Sequence, residues 1–167
     1  GNLASACMPG PPAIAIDLDA VLADTRRLWD DWLEDAARRA RVELEVPADR
    51  QAAVPVLDAA LGDWRPLLER FAADRAPLWI RPHADTNAAL RRLATAGARI
   101  GAFTDAPREL AELALAHAGV ARQIGVIGTL GEVTAELGDS VVVVRTREEL
   151  GTTMSTWNTS SPTGAST

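Results

Sequence analysis

Two acids separated by one residue end an apolar run near the start of the chain, Ala13-Ile-Ala-Ile-Asp17-Leu-Asp19. An apolar strand here would deliver Asp17 to its C-terminal end, where open parallel sheets keep their ligand crevice. A period-two backbone would point Asp19 to the same side. Carboxylates so placed can hold Mg²⁺ and divide labour: one attacks a phosphoryl group covalently, while the other protonates the leaving oxygen and later activates water. A divalent cation between them would offset the repulsion between a carboxylate and a phosphate dianion.

The pattern around this pair alternates short apolar runs with longer amphipathic stretches, the signal for strands and helices around a parallel sheet. Four strands are predicted, at Ala13 to Asp17, Arg99 to Phe103, Ile124 to Gly128 and Val141 to Arg145, each an unbroken apolar run of the kind buried on both faces. Helices are predicted over Thr25 to Arg41, where Leu28, Trp29, Trp32, Leu33, Ala36 and Ala40 form one stripe that Asp24 or Thr25 would cap, over Ala84 to Ala96, and over Pro107 to Ala118. About 80 residues separate the first two strands, far more than one crossover helix requires. This stretch is helical by period, with breaks near Pro47, Gly62 and Pro77, and reads as a small helical cap. The expected organisation is an irregular leader over 1–12, an α/β core from 13–24 and 83–150, a cap over 25–82 and a polar tail over 151–167. The expected fold class is a doubly wound, mainly parallel α/β sheet of three-layer type.

Composition limits the function classes. The 167 residues suit one domain, and 17 basic against 23 acidic side chains leave a net charge of −6, which gives a nucleic-acid backbone nothing to hold. No apolar run reaches the length of about 18 residues that a membrane span needs, and Gly1 to Pro12 lacks the form of a secretory signal, so a cytoplasmic protein without a membrane partner is expected. All basic residues are Arg, so chemistry that needs an ammonium group is excluded. The lone Cys7 reads as idle, and His83 and His117 have no partners at ligand spacing. Trp29, Trp32, Trp64 and Trp79 read as core of the cap and its base, and Gly128-Thr-Leu-Gly131 reads as a turn.

The segment Asp17-Leu-Asp19-Ala-Val-Leu22, with Asp24-Thr25 behind it, resembles the first motif of the haloacid dehalogenase-like superfamily, in its phosphoglycolate-phosphatase-like branch. Pro82 to Leu110 is similar to that family's second helix, second strand and second motif, with Thr104 at the strand end, so the resemblance runs in order from Ala13 to Gly128. It implies Asp17 as nucleophile, Asp19 as general acid and base, and Thr104 with the adjacent Asp105 as phosphate-binding residues. It also implies Mg²⁺ held by Asp17 and by Asp19 through its main-chain carbonyl.

The resemblance degenerates toward the C-terminus. The family's third motif is a cation near the start of the helix after the third strand, yet no basic residue lies between Arg122 and Arg145. Arg108 and Arg122 are the substitutes within reach of the motif, each needing special geometry. The fourth motif is an acid after a further strand that completes the metal shell; Gly138-Asp139 has its letters but precedes the apolar run, 35 residues after Thr104. The expectation is Mg²⁺-dependent phosphatase-like hydrolysis of a small phosphorylated metabolite through an aspartyl-phosphate. The alternative is a weak or inactive relative that serves as a ligand-binding or interaction module. A signalling receiver domain, which shares the acid pair, needs a Lys that this chain lacks.

Overall fold

All four apolar runs become strands: β1 (Ala13–Asp17), β2 (Arg99–Phe103), β3 (Val126–Gly128) and β4 (Val141–Val144). The computed structural model describes residues 12–160, the side chains of 158–160 excepted, so Cys7 lies outside the described residues. The strands form one all-parallel sheet in the order β3-β2-β1-β4. Its two inner strands are buried almost throughout, whereas β3 and β4 lie at the edges, and Val142 is 43% exposed. An apolar run did not by itself distinguish an inner strand from an edge strand.

Among the described residues seven α-helices flank the sheet: α1 (Arg26–Ala40), α2 (Arg50–Leu61), α3 (Arg65–Trp79), α4 (Ala84–Thr95), α5 (Arg108–Ala118), α6 (Leu130–Leu137) and α7 (Arg147–Ser160). The breaks expected between strands one and two fall as follows. Pro47 lies in the 42–49 segment between α1, which Arg41 ends in the left-handed region, and α2; Gly62 ends α2 at φ +70°, where a side chain would be strained, and Pro77 sits in the last turn of α3. Residues 151–160, expected as polar tail, are helical. Leu150 and Met154, four apart, bury against the core, and Thr152, Thr153 and Ser155 return their hydroxyls to carbonyls four residues back. Two apolar side chains at helical spacing outweigh the polar composition around them.

The sheet divides the core unequally. On one face Ile14 and Ile16 join an unbroken apolar cluster that runs through Leu28, Trp32, Leu57, Trp64 and Leu110, so the helices of residues 25–82 share a core with the sheet. Trp29, Trp32 and Trp64 meet there with ring centroids 5.5 to 6.3 Å apart, whereas Trp79 is 39% exposed under the guanidinium of Arg27. On the other face Ala13, Ala15 and Phe103 meet Val133 and Leu137 of α6. Small residues on that face let α6 lie close. No helix among the described residues is long and apolar enough to cross a membrane.

Gly101 marks the closest approach of sheet and helix. A Cβ built there would stand 2.5 Å from Cγ1 of Val133 and 2.7 Å from Cγ1 of Val126, both short branched groups with little freedom to withdraw. Gly101→Ala is therefore expected to lower stability by about 1–3 kcal/mol. In urea unfolding the midpoint falls while the slope stays constant; an unchanged midpoint refutes the close contact.

Candidate active site

β1 ends at Asp17, and the chain leaves the sheet through a single π-helical turn, Leu18–Leu22, whose N-cap is Asp17. Its Oδ1 accepts a hydrogen bond from the main-chain N–H of Ala20 at 3.3 Å. The turn breaks the period-two backbone assumed between the two acids, yet both still line one hollow of about 380 Å³ with Thr104, Asp105, Arg26 and Arg145. Asp17 forms no ion pair among the described residues.

Asp19 is held much more tightly. Its Oδ1 accepts from the Thr25 main-chain N–H at 3.0 Å and from the Thr25 hydroxyl, and its Oδ2 accepts from Arg50 Nη2 at 2.7 Å and from the Thr104 hydroxyl at 2.8 Å. Four donors occupy the two oxygens. Thr25 therefore turns its hydroxyl inward and does not cap α1, where Asp24 accepts the Arg26 N–H instead. Thr104 is equally committed, because its oxygen also accepts from the Ala106 N–H at 3.1 Å and from Arg50 Nη2 at 3.3 Å.

Arg50 is the hub of this network. Asp49 caps α2 by accepting the Gln51 N–H, which sets Arg50 as the first residue of the helix. From there its guanidinium reaches Asp19, the Thr25 hydroxyl at 2.7 Å, and Asp105 through Nε at 3.0 Å and Nη2 at 2.8 Å. Its main-chain N–H, which helix geometry leaves unpaired, donates to Asp105 Oδ2 at 3.0 Å. The Arg50 side chain is 2% exposed and that of Asp19 5%, so this is a buried ion pair whose desolvation is offset by hydrogen bonds on nearly every polar atom. No buried side-chain polar atom lacks a partner among the described residues. At Asp105, burial pushes the carboxyl up, but the Arg50 main-chain N–H, the Arg50 side-chain hydrogen bonds and the Arg50 charge together outweigh it and hold the group below the usual carboxylate value.

The structure brings Asp17, Asp19, Thr104 and Asp105 together around one hollow. Arg108 lines an adjoining hollow of about 260 Å³ that shares Thr104 and Thr129, and it is paired with Glu112 at 2.8 Å. Arg122 lies in the 3₁₀ turn Ala121–Gln123 that leads into β3, and Asp139 lies two residues before β4. Both strands run parallel to β1, so these two residues sit at the opposite end of the strands from Asp17 and cannot join its site. Arg26, Arg50 and Arg145 are the charges that sequence reasoning missed. Pro47 and Asp49 announced a new helix, but nothing local reveals that its first side chain points inward across the strand ends. Gly128-Thr-Leu-Gly131 is a strand-to-helix turn, where Thr129 and Glu132 form a reciprocal capping box at the rim of the hollow.

Mg²⁺, which the resemblance implies, does not match this donor set. The resemblance asks of Asp19 only its main-chain carbonyl, but the further carboxylates that would complete a shell beside Asp17 are missing: both Asp19 carboxylate oxygens are taken, Asp105 is bound to Arg50, Asp139 is remote, and the side chain that follows β4 is a cation, Arg145. Among the described residues no group of three or more His, Cys, Asp or Glu is placed to hold a metal ion. In comparisons with known proteins, no family model, no curated protein and no solved structure matches the chain.

Two measurements probe the network. Arg50→Met leaves the Asp19 carboxylate buried without its counter-charge and is expected to cost about 3–5 kcal/mol; a loss below about 1 kcal/mol in denaturant unfolding would mean that Asp19 is solvated. Because the Asp105 value is lowered in the fold, its contribution is complete above its unfolded value of about 3.9 and is lost as pH falls through the folded one. Stability is therefore expected to drop below about pH 4, and Asp105→Asn to drop less steeply there than the parent.

Proposed function

We propose that this chain is a hydrolase of small phosphorylated metabolites, similar to the haloacid dehalogenase-like superfamily, working by covalent catalysis at Asp17, with α1 to α3 as its helical cap. The observation that carries this reading is a strand-end carboxylate, free of any ion pair among the described residues, that faces a hollow of about 380 Å³ beside a second acid and a Thr hydroxyl. In the first step an oxygen of Asp17 forms a bond to phosphorus while the bond from phosphorus to the leaving oxygen breaks. Asp19 donates the proton that this oxygen takes up. In the second step it draws a proton from the attacking water, whose oxygen bonds to phosphorus as the bond from phosphorus to the Asp17 oxygen breaks, releasing inorganic phosphate and restoring the Asp17 carboxylate.

Asp19 meets neither duty while Arg50, Thr25 and Thr104 occupy both of its oxygens. Under this reading turnover requires α2 to withdraw the Arg50 guanidinium, so the described arrangement is a resting form. The same saturation of Asp19 favours a second reading, in which the site binds a phosphorylated ligand and does not turn over.

A panel of phosphorylated metabolites, assayed for phosphate release with and without Mg²⁺, separates the two. The hydrolase reading expects release, a covalent adduct of one phosphoryl group on the peptide containing Asp17, and a loss of at least about 1000-fold in Asp17→Asn. Ligand-dependent stabilisation without release on any compound supports the binding module instead, and neither response on any compound refutes both.

A further inference from the structure

We infer that Arg145, from the end of β4, supplies the positive charge beside Asp17 that a metal ion would otherwise supply, so that the hollow accepts a phosphate dianion without a divalent cation. The inference rests on the phosphate reading of the site above and goes beyond it by assigning the charge-balancing group.

The placement follows from the ladder. Ala13 pairs with Val141 and Ile16 with Val144, so continuing the parallel register by one residue sets Arg145 level with Asp17. The same alternation fixes the face. Val141 and Val143 pack with Ala13 and Ala15 on the α6 side, and the next residues on that side are Arg145 and Asp17. The guanidinium of Arg145 then lies over the ring of Phe103, 5.6 Å from its centroid. Phe103 is the partner of Asp17 on β2, and β1 runs between β2 and β4. A side chain that starts on β4 and stacks on β2 must span the end of β1, where Asp17 stands.

Four carboxylates line the hollow, Asp17, Asp19, Asp49 and Asp105; Arg50 occupies Asp19 and Asp105, and Asp49 caps α2, so Asp17 is the charge that a guest anion must meet beside the arginines. Arg145 and Arg26 both line the hollow, and neither forms an ion pair among the described residues. The Arg145 main-chain N–H donates to Glu149 at 2.7 Å, and the Phe103 ring orients its guanidinium, so both anchors leave its N–H groups to a guest. A planar guanidinium meets two phosphate oxygens at once and keeps its charge at any working pH. A divalent ion at the same place would meet a like charge in place of a carboxylate. The first turn of α6 does not compete for the anion, since its N–H groups are already capped by the Thr129 and Glu132 side chains.

The test uses inorganic phosphate and one phosphomonoester as probes, titrated against the full chain by calorimetry and thermal shift, in EDTA and in Mg²⁺. The expected result is binding in EDTA that Mg²⁺ does not strengthen. Arg145→Gln should weaken it about tenfold or more. Arg145→Asp should abolish binding in EDTA and recover it in Mg²⁺, because the substitution completes a pair of carboxylates beside Asp17. Circular dichroism of both variants verifies folding, which substitution at this exposed position should preserve. Binding by the parent chain only when Mg²⁺ is present, with Mg²⁺ alone raising its Tm, would overturn the inference while leaving the proposed function intact. Equal binding by the parent and Arg145→Gln in EDTA would overturn it as well. If neither probe binds under either condition, the phosphate reading fails and the inference falls with it.

Discussion

One buried guanidinium holds together everything that surrounds the strand ends. Arg50 binds Asp19 from the turn after β1, Thr25 from the start of α1, and Thr104 and Asp105 from the loop after β2. These partners lie 25 to 55 residues from Arg50 in sequence. A positive group so deep is tolerable only because carboxylates and hydroxyls occupy its donors, and those carboxylates are tolerable only because it is there. The interaction therefore orders α2 against the sheet and the acid pair against α2 in one event. It also separates the two acids in character, since Asp19 is fully engaged while Asp17 keeps an open side.

The second constraint is the register of the sheet. With β1 inside and β2 and β4 on either side, Asp17 has the Phe103 ring on one flank and Arg145 on the other. Small residues on the α6 face, Ala13, Ala15 and Gly101, bring that helix close enough for Thr129 and Leu130 to wall the same hollow. Packing distance and charge placement are thus linked. Under the proposed reading, the change from an expected acid to an Arg beside Asp17 alters how charge on a phosphate guest is balanced and leaves the carboxylate that would meet phosphorus in place.

Much of the fold was legible because it rests on local pattern. Apolar runs of four or five residues are too short for a helix and suit a buried strand, and the stripe from Leu28 to Ala40 has the spacing of a helix with one buried face. The same logic failed at 151–160, where Thr and Ser obscured the four-residue spacing of Leu150 and Met154. It also failed to rank β4, because four valines read alike at an edge or in the middle of a sheet.

The candidate site divides along the same line. Asp17 and Asp19 were legible from the strand that they end, and Thr104 and Asp105 from the resemblance, which marks them at the end of the next strand. Arg50 and Arg145 were not, and neither was the exclusion of Asp139 and Arg122. Sequence states which residues follow or precede a strand; it does not state which strands are neighbours, nor which side chain of a distant helix fills the space between their ends. Local periodicity therefore determined the elements and the acids they carry. The strand order β3-β2-β1-β4 and the burial of Arg50 decided which charges those acids meet, because pairing and desolvation are properties of the assembled core and not of any one segment.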